Sequence, residues 1–381
     1  MAASGPLSGV KVVEFAGIGP GPFAAMMLSD MGAEVIRIER PGVKDPTPDR
    51  IDLRGRRTIA LDLKDPAAAA FCLELCVSAE IVIEGGRPGV MERLGLGPEA
   101  MLARNPGLIY GRMTGWGQFG PLSQAAGHDI NYISLTGTLH SIGAADKPFP
   151  PLNLIGDYGG GAMFLVAGVM AALIHSRTTG EGQVVDAAMT DGASYLMTFF
   201  YGMFAGNQWR DQRYVNALDG GAPYYDTYQC ADGGWISLGS IEPQFYAILL
   251  EKSGAAELLP QPQGDRPSWP EMKQVLARVF RTKTRDEWCA IMEGTDICFA
   301  PVLSLREAPQ HPHNVARKTF VELDGVTTPA PAPRFSATPS AIQFGPQPSG
   351  RGVQEVLTAW GIPADRVAAF TSGATRQAAT V

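Results

Sequence analysis

The opening of the chain carries the pattern that most constrains its fold. Residues 10–15 form a short apolar run that predicts a strand, and the run ends at a turn built from glycine and proline, residues 17–22. Residues 23–31 have helical composition, and residues 34–38 predict a second strand. Strands joined through a helix favour parallel pairing, because parallel strands need a long crossover connection. The sequence therefore predicts a βαβ unit and a parallel sheet.

The same alternation continues further along the chain. The predicted helices cover residues 64–78, 98–104 and 190–206, and the predicted strands cover residues 80–84, 108–113 and 184–189. Helices that alternate with strands are typical of a doubly wound sheet. We therefore expect an α/β fold whose main part is a large doubly wound, Rossmann-like domain.

The first turn has a weak likeness to a dinucleotide-binding fingerprint. Gly17 and Gly19 match its start, and Glu39 lies about where a ribose-binding acid would follow. Pro22 stands at the place of the third glycine, and neither Pro20 nor Pro22 has the N–H that would hold a pyrophosphate. A tight strand-to-helix turn with proline at the helix start is therefore favoured over NAD binding.

The pattern changes after residue 206. Residues 207–223 are polar, aromatic and glycine-rich, as in a linker, and a second region follows to about residue 303. Its predicted elements are a strand at 235–238, a helix that opens near Glu242 and Pro243, and a helix through 285–288. The C-terminal part has a proline-rich extended segment at 329–333, helices at 354–360 and 364–370, and a frayed tail from residue 373.

Charge and composition exclude several classes of function. The formal net charge of −7 argues against a nucleic-acid-binding or polybasic membrane protein. The five cysteines lack zinc or disulfide spacing, so we expect core thiols in a reducing, cytoplasmic compartment. The N-terminus lacks the features of a signal peptide, and the C-terminus is not a peroxisomal signal. The longest apolar window, residues 162–174, predicts a buried helix too short to span a bilayer.

The residues that could carry chemistry concentrate in residues 125–161. His128 follows a glycine at a predicted helix start, and Asp157 follows Gly156 directly before the apolar helix. Histidine is the natural proton carrier near neutral pH, and glycine lets a ligand approach the backbone. The alternatives are structural, since aspartate is also a favoured helix cap. Spacing alone leaves both interpretations open for each residue, and it cannot connect Glu242 to His128.

The other histidines are weaker candidates. His140 and His175 end apolar runs, which indicates a structural or exposed position. His311 and His313 could ligate a metal ion, but no carboxylate or cysteine is spaced to complete the site. We expect no metal.

Arginines gather where the predicted sheet would present a cleft. They are Arg40, Arg54, Arg56, Arg57, Arg87 and Arg93. The guanidinium groups around Gly55 suit a phosphate ligand, and Arg87 follows a strand end, where ligands of such sheets bind. A solvated basic face paired with Asp52 and Asp62 is the alternative and, taken alone, the stronger one.

Several longer strings of sequence go beyond any single motif. They are GHDINY at 127–132, PLNL at 151–154 with GD at 156–157, LDGGAPY at 218–224, IEPQFY at 241–246, and GTD at 294–296 with PVL at 301–303. Together they resemble the family III coenzyme A transferases and, within them, the alpha-methylacyl-CoA racemases. The resemblance covers nearly the whole chain to about residue 335 and is specific, because so many matches occur in order.

The resemblance implies a large discontinuous α/β domain, a small α+β domain and an interlocked homodimer. Its active site would lie between the large domain of one subunit and the small domain of the other. The expected segments are 1–190 for the first part of the large domain, 191–223 as a linker, 224–303 for the small domain, 304–328 as a linker, and 329–381 for the part that returns to the large domain.

The resemblance also implies site residues. It places the catalytic pair at His128 and Asp157, supported by Glu242 of the partner subunit. The expected coenzyme A contacts are Arg40, Arg54, Gly55, Arg56, Gly127, Ile130, Asn131 and Tyr132, and the cleft arginines Arg87 and Arg93 would add to them.

The implied activity interconverts (2R)- and (2S)-2-methylacyl-CoA thioesters through an enolate. His128 would deprotonate the S form and Asp157 the R form, while the backbone N–H of Asp129 would stabilise the thioester oxygen. No cofactor is expected, because coenzyme A is part of the substrate. A CoA-transferase with Asp157 as nucleophile and a non-catalytic acyl-CoA-binding protein are the alternatives. A histidine at position 128 points to racemisation.

Overall fold

Strands and helices alternate through the first half of the computed structural model, which describes residues 4–257 and 260–371. The strands are β1 (Lys11–Phe15), β2 (Glu34–Glu39), β3 (Arg56–Ala60), β4 (Ile81–Glu84), β5 (Ile109–Thr114), β6 (Gln183–Ala188), β7 (Thr227–Gln229), β8 (Trp235–Leu238), β9 (Phe299–Val302), β10 (Phe320–Leu323) and β11 (Val326–Pro329). The helices are α1 (Pro20–Asp30), α2 (Pro66–Val77), α3 (Val90–Arg93), α4 (Pro98–Leu102), α5 (Asp129–Ser134), α6 (Thr138–Ser141), α7 (Met163–Thr179), α8 (Met189–Leu196), α9 (Thr198–Ala205), α10 (Pro243–Ser253), α11 (Trp269–Phe280), α12 (Arg285–Met292), α13 (Pro312–Arg317), α14 (Val353–Ala359) and α15 (Ala364–Thr371).

One parallel sheet organises the first half of the chain. Its strand order is β3-β2-β1-β4-β5-β6, and every neighbouring pair is parallel. The order reverses at β1, so the chain winds first to one side of this strand and then to the other. This arrangement confirms the predicted doubly wound α/β fold.

Helices cover both faces of the sheet. Val12 of β1 packs in the cluster that contains α1 and α7, whereas Val13 packs in the cluster that contains α2 and α14. Successive strand residues point to opposite faces, so a strand buried on both sides reads as a continuous apolar run. This is why the strands of the sheet are visible in the sequence.

The helix α7 continues a preceding π-helical segment, Leu154–Ala162. Together they form the helix Leu154–Thr179, whose 26 residues are long and apolar enough to cross a membrane by length and composition. The helix is therefore longer than the apolar window read from the sequence. Leu165 and Val169 are fully buried in the core formed with β4 and β5, as in the core helix of a folded domain.

Within the described residues, the chain divides into two compact units. The first comprises residues 4–136, 152–196 and 316–371, and the second comprises residues 137–151, 197–257 and 260–315. The units therefore divide after residues 136, 151, 196 and 315. The segment boundaries expected from the sequence, after residues 190, 223, 303 and 328, stay a prediction.

The second unit is built around a small antiparallel sheet of order β7-β8-β9. Its core is aromatic: Tyr228 and Trp288 both pack against Phe280, with ring centroids 5.3 and 5.1 Å apart. The helix α10 begins at Pro243, as the sequence predicts, and Gly254 ends it in the left-handed conformation. The hairpin β10–β11 belongs to the first unit.

Two sequence predictions need correction, and one strand was not predicted. The helix expected at 190–206 is two helices, α8 and α9, with Met197 between them. The helix α1 begins at Pro20 rather than residue 23, because proline is accepted in the first turn. The strand β3 was not expected, since two arginines open it. The frayed tail predicted from residue 373 lies outside the described residues.

Buried ion pairs hold the arginine-rich start of β3 against its neighbours. Arg56 Nε donates to Glu14 Oε2 of β1 at 3.2 Å, and the Nη atoms of Arg56 donate to the carbonyls of Arg54 and Pro22, each at 2.7 Å, and to the carbonyl of Asp52. Arg54 Nη2 pairs with Asp30 Oδ2 at 2.6 Å. Both guanidinium groups are thus satisfied inside the protein, which makes burial of their charge tolerable.

This network predicts a large stability cost for Arg56→Met. The change leaves the fully buried Glu14 carboxylate with only the Arg37 guanidinium, 3.8 Å away. We expect the free energy of unfolding to fall by about 3–5 kcal/mol in urea denaturation. Adding Glu14→Gln to Arg56→Met should recover part of this loss.

The matched control is Arg50→Ala, which removes the exposed ion pair of Arg50 with Asp52. Its cost should be only about 0–1 kcal/mol. Equal costs for Arg56→Met and Arg50→Ala would contradict a role for the buried network.

Candidate active site

A cavity of about 930 Å³ opens at the carboxyl ends of β1, β4 and β5. Its walls include the turn after β1, the turn after β4 and the start of the loop after β5. The strand order reverses at β1, and ligands of doubly wound sheets bind where such a reversal leaves a crevice. The fold therefore places the cavity where a ligand site is expected.

The turn after β1 approaches Asp157 closely. Gly19 adopts φ 69°, a left-handed conformation that favours glycine, and α1 begins at the next residue. A Cβ on Gly19 would lie 2.9 Å from Asp157 Oδ2. Glycine at this position thus serves both the backbone turn and the contact with the Asp157 carboxyl.

His128 stands exposed on the cavity wall, at the residue that precedes α5. Its backbone is extended, and its N–H donates to the Asn131 side-chain oxygen at 3.0 Å. This hydrogen bond satisfies a free N–H at the helix start and fixes the residue that presents the imidazole. Asn131 and Tyr132 also line the cavity.

Tyr132 anchors the turn before His128. Its hydroxyl donates to the Gly127 carbonyl, and its ring packs edge-on against Trp116 with centroids 4.8 Å apart. A Cβ on Gly127 would lie 2.7 Å from the Tyr132 ring. The glycine therefore lets the turn lie flat on the aromatic pair.

Asp157 lies half-buried within the π-helical segment and lines the same cavity. Asn153 Nδ2 donates to Asp157 Oδ2 at 3.1 Å. Burial raises the pKa of the Asp157 carboxyl, and the negative charge of Asp129 raises it further, while the Asn153 hydrogen bond and His128 oppose the rise. The site thus holds one imidazole and one carboxyl whose proton is retained to higher pH than usual.

Two of the predicted arginines, Arg54 and Arg56, are not available to a ligand. Arg56 is 1 % exposed and Arg54 is 4 % exposed, and neither lines the cavity. Their guanidinium donors are taken up by Asp30, Glu14, Thr328 and backbone carbonyls. The two guanidinium groups thus have partners inside the protein, and the coenzyme A contacts expected at Arg54 and Arg56 stay a prediction.

The remaining predicted contacts lie in different places. Arg87 is exposed and lines the cavity, whereas Arg40 follows β2 and Arg93 ends α3, both exposed and outside the cavity wall. Gly55 adopts φ 72°, and its N–H donates to the Phe344 carbonyl at 2.9 Å. Ile130 is 43 % exposed on α5.

Glu242 belongs to the second unit, where it is exposed and precedes α10. Its position within that unit follows from Pro243, which begins the helix. Its predicted role toward His128 concerns a second subunit and stays a prediction.

The sequence analysis missed Glu84, a buried carboxyl in the cavity wall. Glu84 Oε2 accepts the Gly86 N–H at 2.6 Å and Oε1 accepts Arg112 Nε at 3.2 Å. Burial raises the pKa of Glu84 to about 7. The signal in the sequence is an acid at the end of the apolar run Ile81–Glu84, where a parallel strand reaches its ligand-facing edge.

Within the part of the chain that the structure describes, no group of three or more histidine, cysteine or acidic residues could hold a metal ion. His311 pairs instead with Glu293, with Nε2 and Oε1 2.8 Å apart.

The family model described as "CoA-transferase family III" matches residues 7–351. The chain belongs to CoA-transferase family III.

Two mammalian relatives are similar to this family member over nearly its full length. The chain is 45 % identical over 366 residues to an alpha-methylacyl-CoA racemase of Mus musculus, covering 95 % of each protein. It is 42 % identical over 369 residues to the Homo sapiens alpha-methylacyl-CoA racemase, again covering 95 % of each.

The fold is also found in a solved structure. A CAIB/BAIF family protein from Brucella suis has a TM-score of 0.81 and 24 % identity, covering 94 % of this chain and all of its own. At this identity the likeness concerns the fold, and it matches the α/β architecture described above.

The raised pKa of Glu84 predicts a pH dependence of stability. The pKa of Glu84 is about 7 in the folded protein and near 4.5 in the unfolded chain. Between pH 4.5 and 7, this carboxyl therefore binds more protons in the folded state than in the unfolded state. Its contribution therefore favours folding at low pH and is lost as the pH rises from about 4.5 to 7. In the unmodified protein, Glu84 should lower the free energy of unfolding by on the order of 3 kcal/mol between pH 4.5 and 7. Glu84→Gln should remove this decrease, as measured by urea unfolding at several pH values.

Glu92→Gln is the matched control, because Glu92 also contacts Arg112. Desolvation acts to raise the pKa of Glu92, but hydrogen bonds, including the one from Arg112, outweigh it and lower this pKa. A lowered pKa acts below 4.5, so this variant should keep most of the wild-type slope between pH 5 and 7. If the free energy of unfolding of Glu84→Gln kept the wild-type dependence on pH, Glu84 would not be its source.

Proposed function

We propose that this family member is an alpha-methylacyl-CoA racemase, which interconverts (2R)- and (2S)-2-methylacyl-CoA thioesters. The observation that carries the proposal is that His128 and Asp157 line one cavity, in a chain with 42–45 % identity to two racemases. The reaction removes a proton from one face of Cα and returns a proton to the other face. It therefore needs two proton carriers and no redox step.

The proposed roles follow from the state of each group. With the S form bound, neutral His128 takes the Cα proton and protonated Asp157 donates one to the opposite face. With the R form bound, Asp157 is the base and protonated His128 is the acid. The two reacting states carry the same number of protons, and the raised pKa of Asp157 brings its proton affinity closer to that of an imidazole.

The enolate that forms between these steps needs a hydrogen-bond donor at the thioester oxygen. The backbone N–H of Asp129, in the first turn of α5, is the proposed donor. Gly127, Ile130, Asn131 and Tyr132 would contact coenzyme A along the same turn. Arg87 at the cavity, with Arg40 and Arg93, would meet its phosphates.

We further propose that the protein acts as an interlocked homodimer in which Glu242 of the partner subunit supports His128. The chain displays large exposed apolar side chains that a partner would cover. Ile174 and Tyr195 of the first unit are each 70 % exposed, and Phe199 of the second unit is 62 % exposed. A reducing, cytoplasmic location is proposed as well, in which the five free thiols persist.

Solvent exchange at Cα separates the two proposed bases. In deuterated water, His128→Ala should lower the rate of Cα proton exchange of the S enantiomer by about 10²–10⁴-fold. The exchange rate of the R enantiomer should be retained. Asp157→Ala should show the converse. The measurement is proton NMR of each 2-methylacyl-CoA enantiomer during incubation.

Equal losses of both exchanges in each variant would contradict the assignment of faces. If the unmodified protein exchanged neither enantiomer but moved coenzyme A to a free carboxylate through an acyl-aspartate at Asp157, the CoA-transferase alternative would replace the proposal. Binding without either reaction would leave an acyl-CoA-binding protein.

A heterodimer test examines the shared site. One chain carries His128→Ala with Asp157→Ala, the other carries Glu242→Ala, and the two are co-expressed with different tags and purified as the mixed dimer. If the site is shared between subunits, one complete site forms, and the dimer should reach roughly half of the wild-type rate.

The control dimer combines an unmodified chain with one that carries all three substitutions. A shared site predicts that both of its sites lack a group, so its rate should fall to that of Glu242→Ala or below. The opposite ranking of the two dimers would show that each chain builds its own site.

A further inference from the structure

Two carboxyl groups meet beside the cavity, and the mechanism above uses the side chain of only one. The Asp129 carboxylate, 5 % exposed, accepts the backbone N–H of Asp157 with Oδ2 at 2.7 Å from the nitrogen. This charge-assisted hydrogen bond joins the first residue of α5 to the π-helical segment 28 positions later. The residue that follows His128 is thus tied directly to the backbone of Asp157.

The contact depends on Gly156. A Cβ at this position would lie 2.6 Å from Asp129 Oδ2 and 3.2 Å from Ile133 Cγ2. Any side chain would therefore push the carboxylate away from the Asp157 N–H. Gly156 has an ordinary backbone conformation, so the requirement for glycine is steric at this site.

The second oxygen of Asp129 is left without compensation. Asp129 Oδ1 is buried and finds no hydrogen-bond partner in the described ranges 4–257 and 260–371. A half-satisfied carboxylate in the interior lowers stability, and such groups call for a functional explanation. Holding one backbone N–H does not require a charge, because a neutral amide oxygen would also accept it.

Asp129 is also one of the few charges that act on Asp157. From α5 and the residue before it come Asp129, His128 and the Tyr132 hydroxyl, and from its own segment comes the Asn153 amide. The turn before α1 faces Asp157 with Gly19, and α8 meets the segment through the backbone at Gly160 and Gly192. The Asn153 hydrogen bond and the Asp129 charge therefore act in opposite directions on one carboxyl.

We propose that the Asp129 side chain is a positioning residue for proton transfer: it clamps the backbone of Asp157 and places a fixed negative charge beside the Asp157 carboxyl. This role is separate from that of the Asp129 backbone N–H. It rests on the proposed racemase function for its kinetic consequence, but the electrostatic effect exists without turnover.

The kinetic consequence lies in the acidic limb of the pH profile. The reacting states hold one proton on the His128–Asp157 pair, and binding a second proton inactivates the site. Both directions share this limb, because their reacting states carry equal numbers of protons. A negative charge at Asp129 favours protonated Asp157 and therefore sets where the limb falls.

Asp129→Asn is the test variant, since an amide oxygen can still accept the Asp157 N–H while the charge is gone. On the acidic limb, kcat/KM relative to its own plateau should rise by on the order of tenfold, in both directions, as the limb moves to lower pH. The KM for the thioester at the plateau should change little. Asp129→Ala, which also removes the clamp, should in addition lower the plateau kcat.

Asn153→Ala is the matched control, because it removes the hydrogen bond to Asp157 Oδ2 that favours the charged form. Its limb should move to higher pH, opposite to that of Asp129→Asn. A purely structural role for Asp129 predicts no movement of the limb. An unmoved limb in Asp129→Asn, or movement in the same direction as Asn153→Ala, overturns the proposal.

A second readout keeps this inference apart from the racemase proposal. Carbon-13 NMR of labelled aspartate follows the Asp157 carboxyl through a pH titration without any substrate, and Asp157→Asn assigns its signal. Asp157 should titrate at lower pH in Asp129→Asn than in the unmodified protein. Absence of Cα exchange would end the racemase proposal, whereas an unchanged titration would end this one.

Discussion

The site depends on chain segments that pack around Asp157 so closely that only glycine fits at their contacts. Gly19 lets the turn after β1 contact Asp157, and Gly156 leaves room for the Asp129 carboxylate. At Gly160, a Cβ would lie 2.6 Å from the backbone nitrogen of Ala193 in α8. Each contact excludes a side chain, so three neighbours hold the π-helical segment from different sides. A π-helical turn is a rare local structure, and here it carries the Asp157 carboxyl at the cavity wall. The Asp157 carboxyl is therefore held by close packing of its backbone segment against α5, α8 and the turn before α1.

The same residue type serves two purposes on either side of this sheet edge. Arg54 and Arg56 lie inside, where Asp30 and Glu14 neutralise them and hold β3 in register with its neighbours. Arg87 lies exposed at the cavity and makes no salt bridge within residues 4–257 and 260–371. Burial and the presence of an internal partner, rather than sequence spacing, separate the arginines that build the fold from those that could bind a ligand.

The sequence predicts those parts of the fold that depend on local pattern. The βαβ opening, the strand at Trp235–Leu238 and the helix that starts at Pro243 all follow from apolar runs and from proline at a helix start. The strand β3 and the role of Arg56 could not be predicted, because the partner Glu14 lies 42 positions away in the chain. In the site, spacing left His128 and Asp157 undecided, and the resemblance to the family selected them. The clamp from Asp129 and the buried Glu84 carboxyl are set by tertiary contacts that no local pattern records.

Proton transfer between the two faces of Cα requires that His128 and Asp157 face opposite sides of one carbon atom of the substrate. A crystal structure of the protein with a bound 2-methylacyl-CoA measures this directly. We expect Cα between the two side chains, with an imidazole nitrogen and a carboxylate oxygen each about 3–3.5 Å from it on opposite faces. An Asp157 oxygen aligned instead with the thioester carbonyl carbon, or both groups on the same face of Cα, would rule out racemisation by His128 and Asp157.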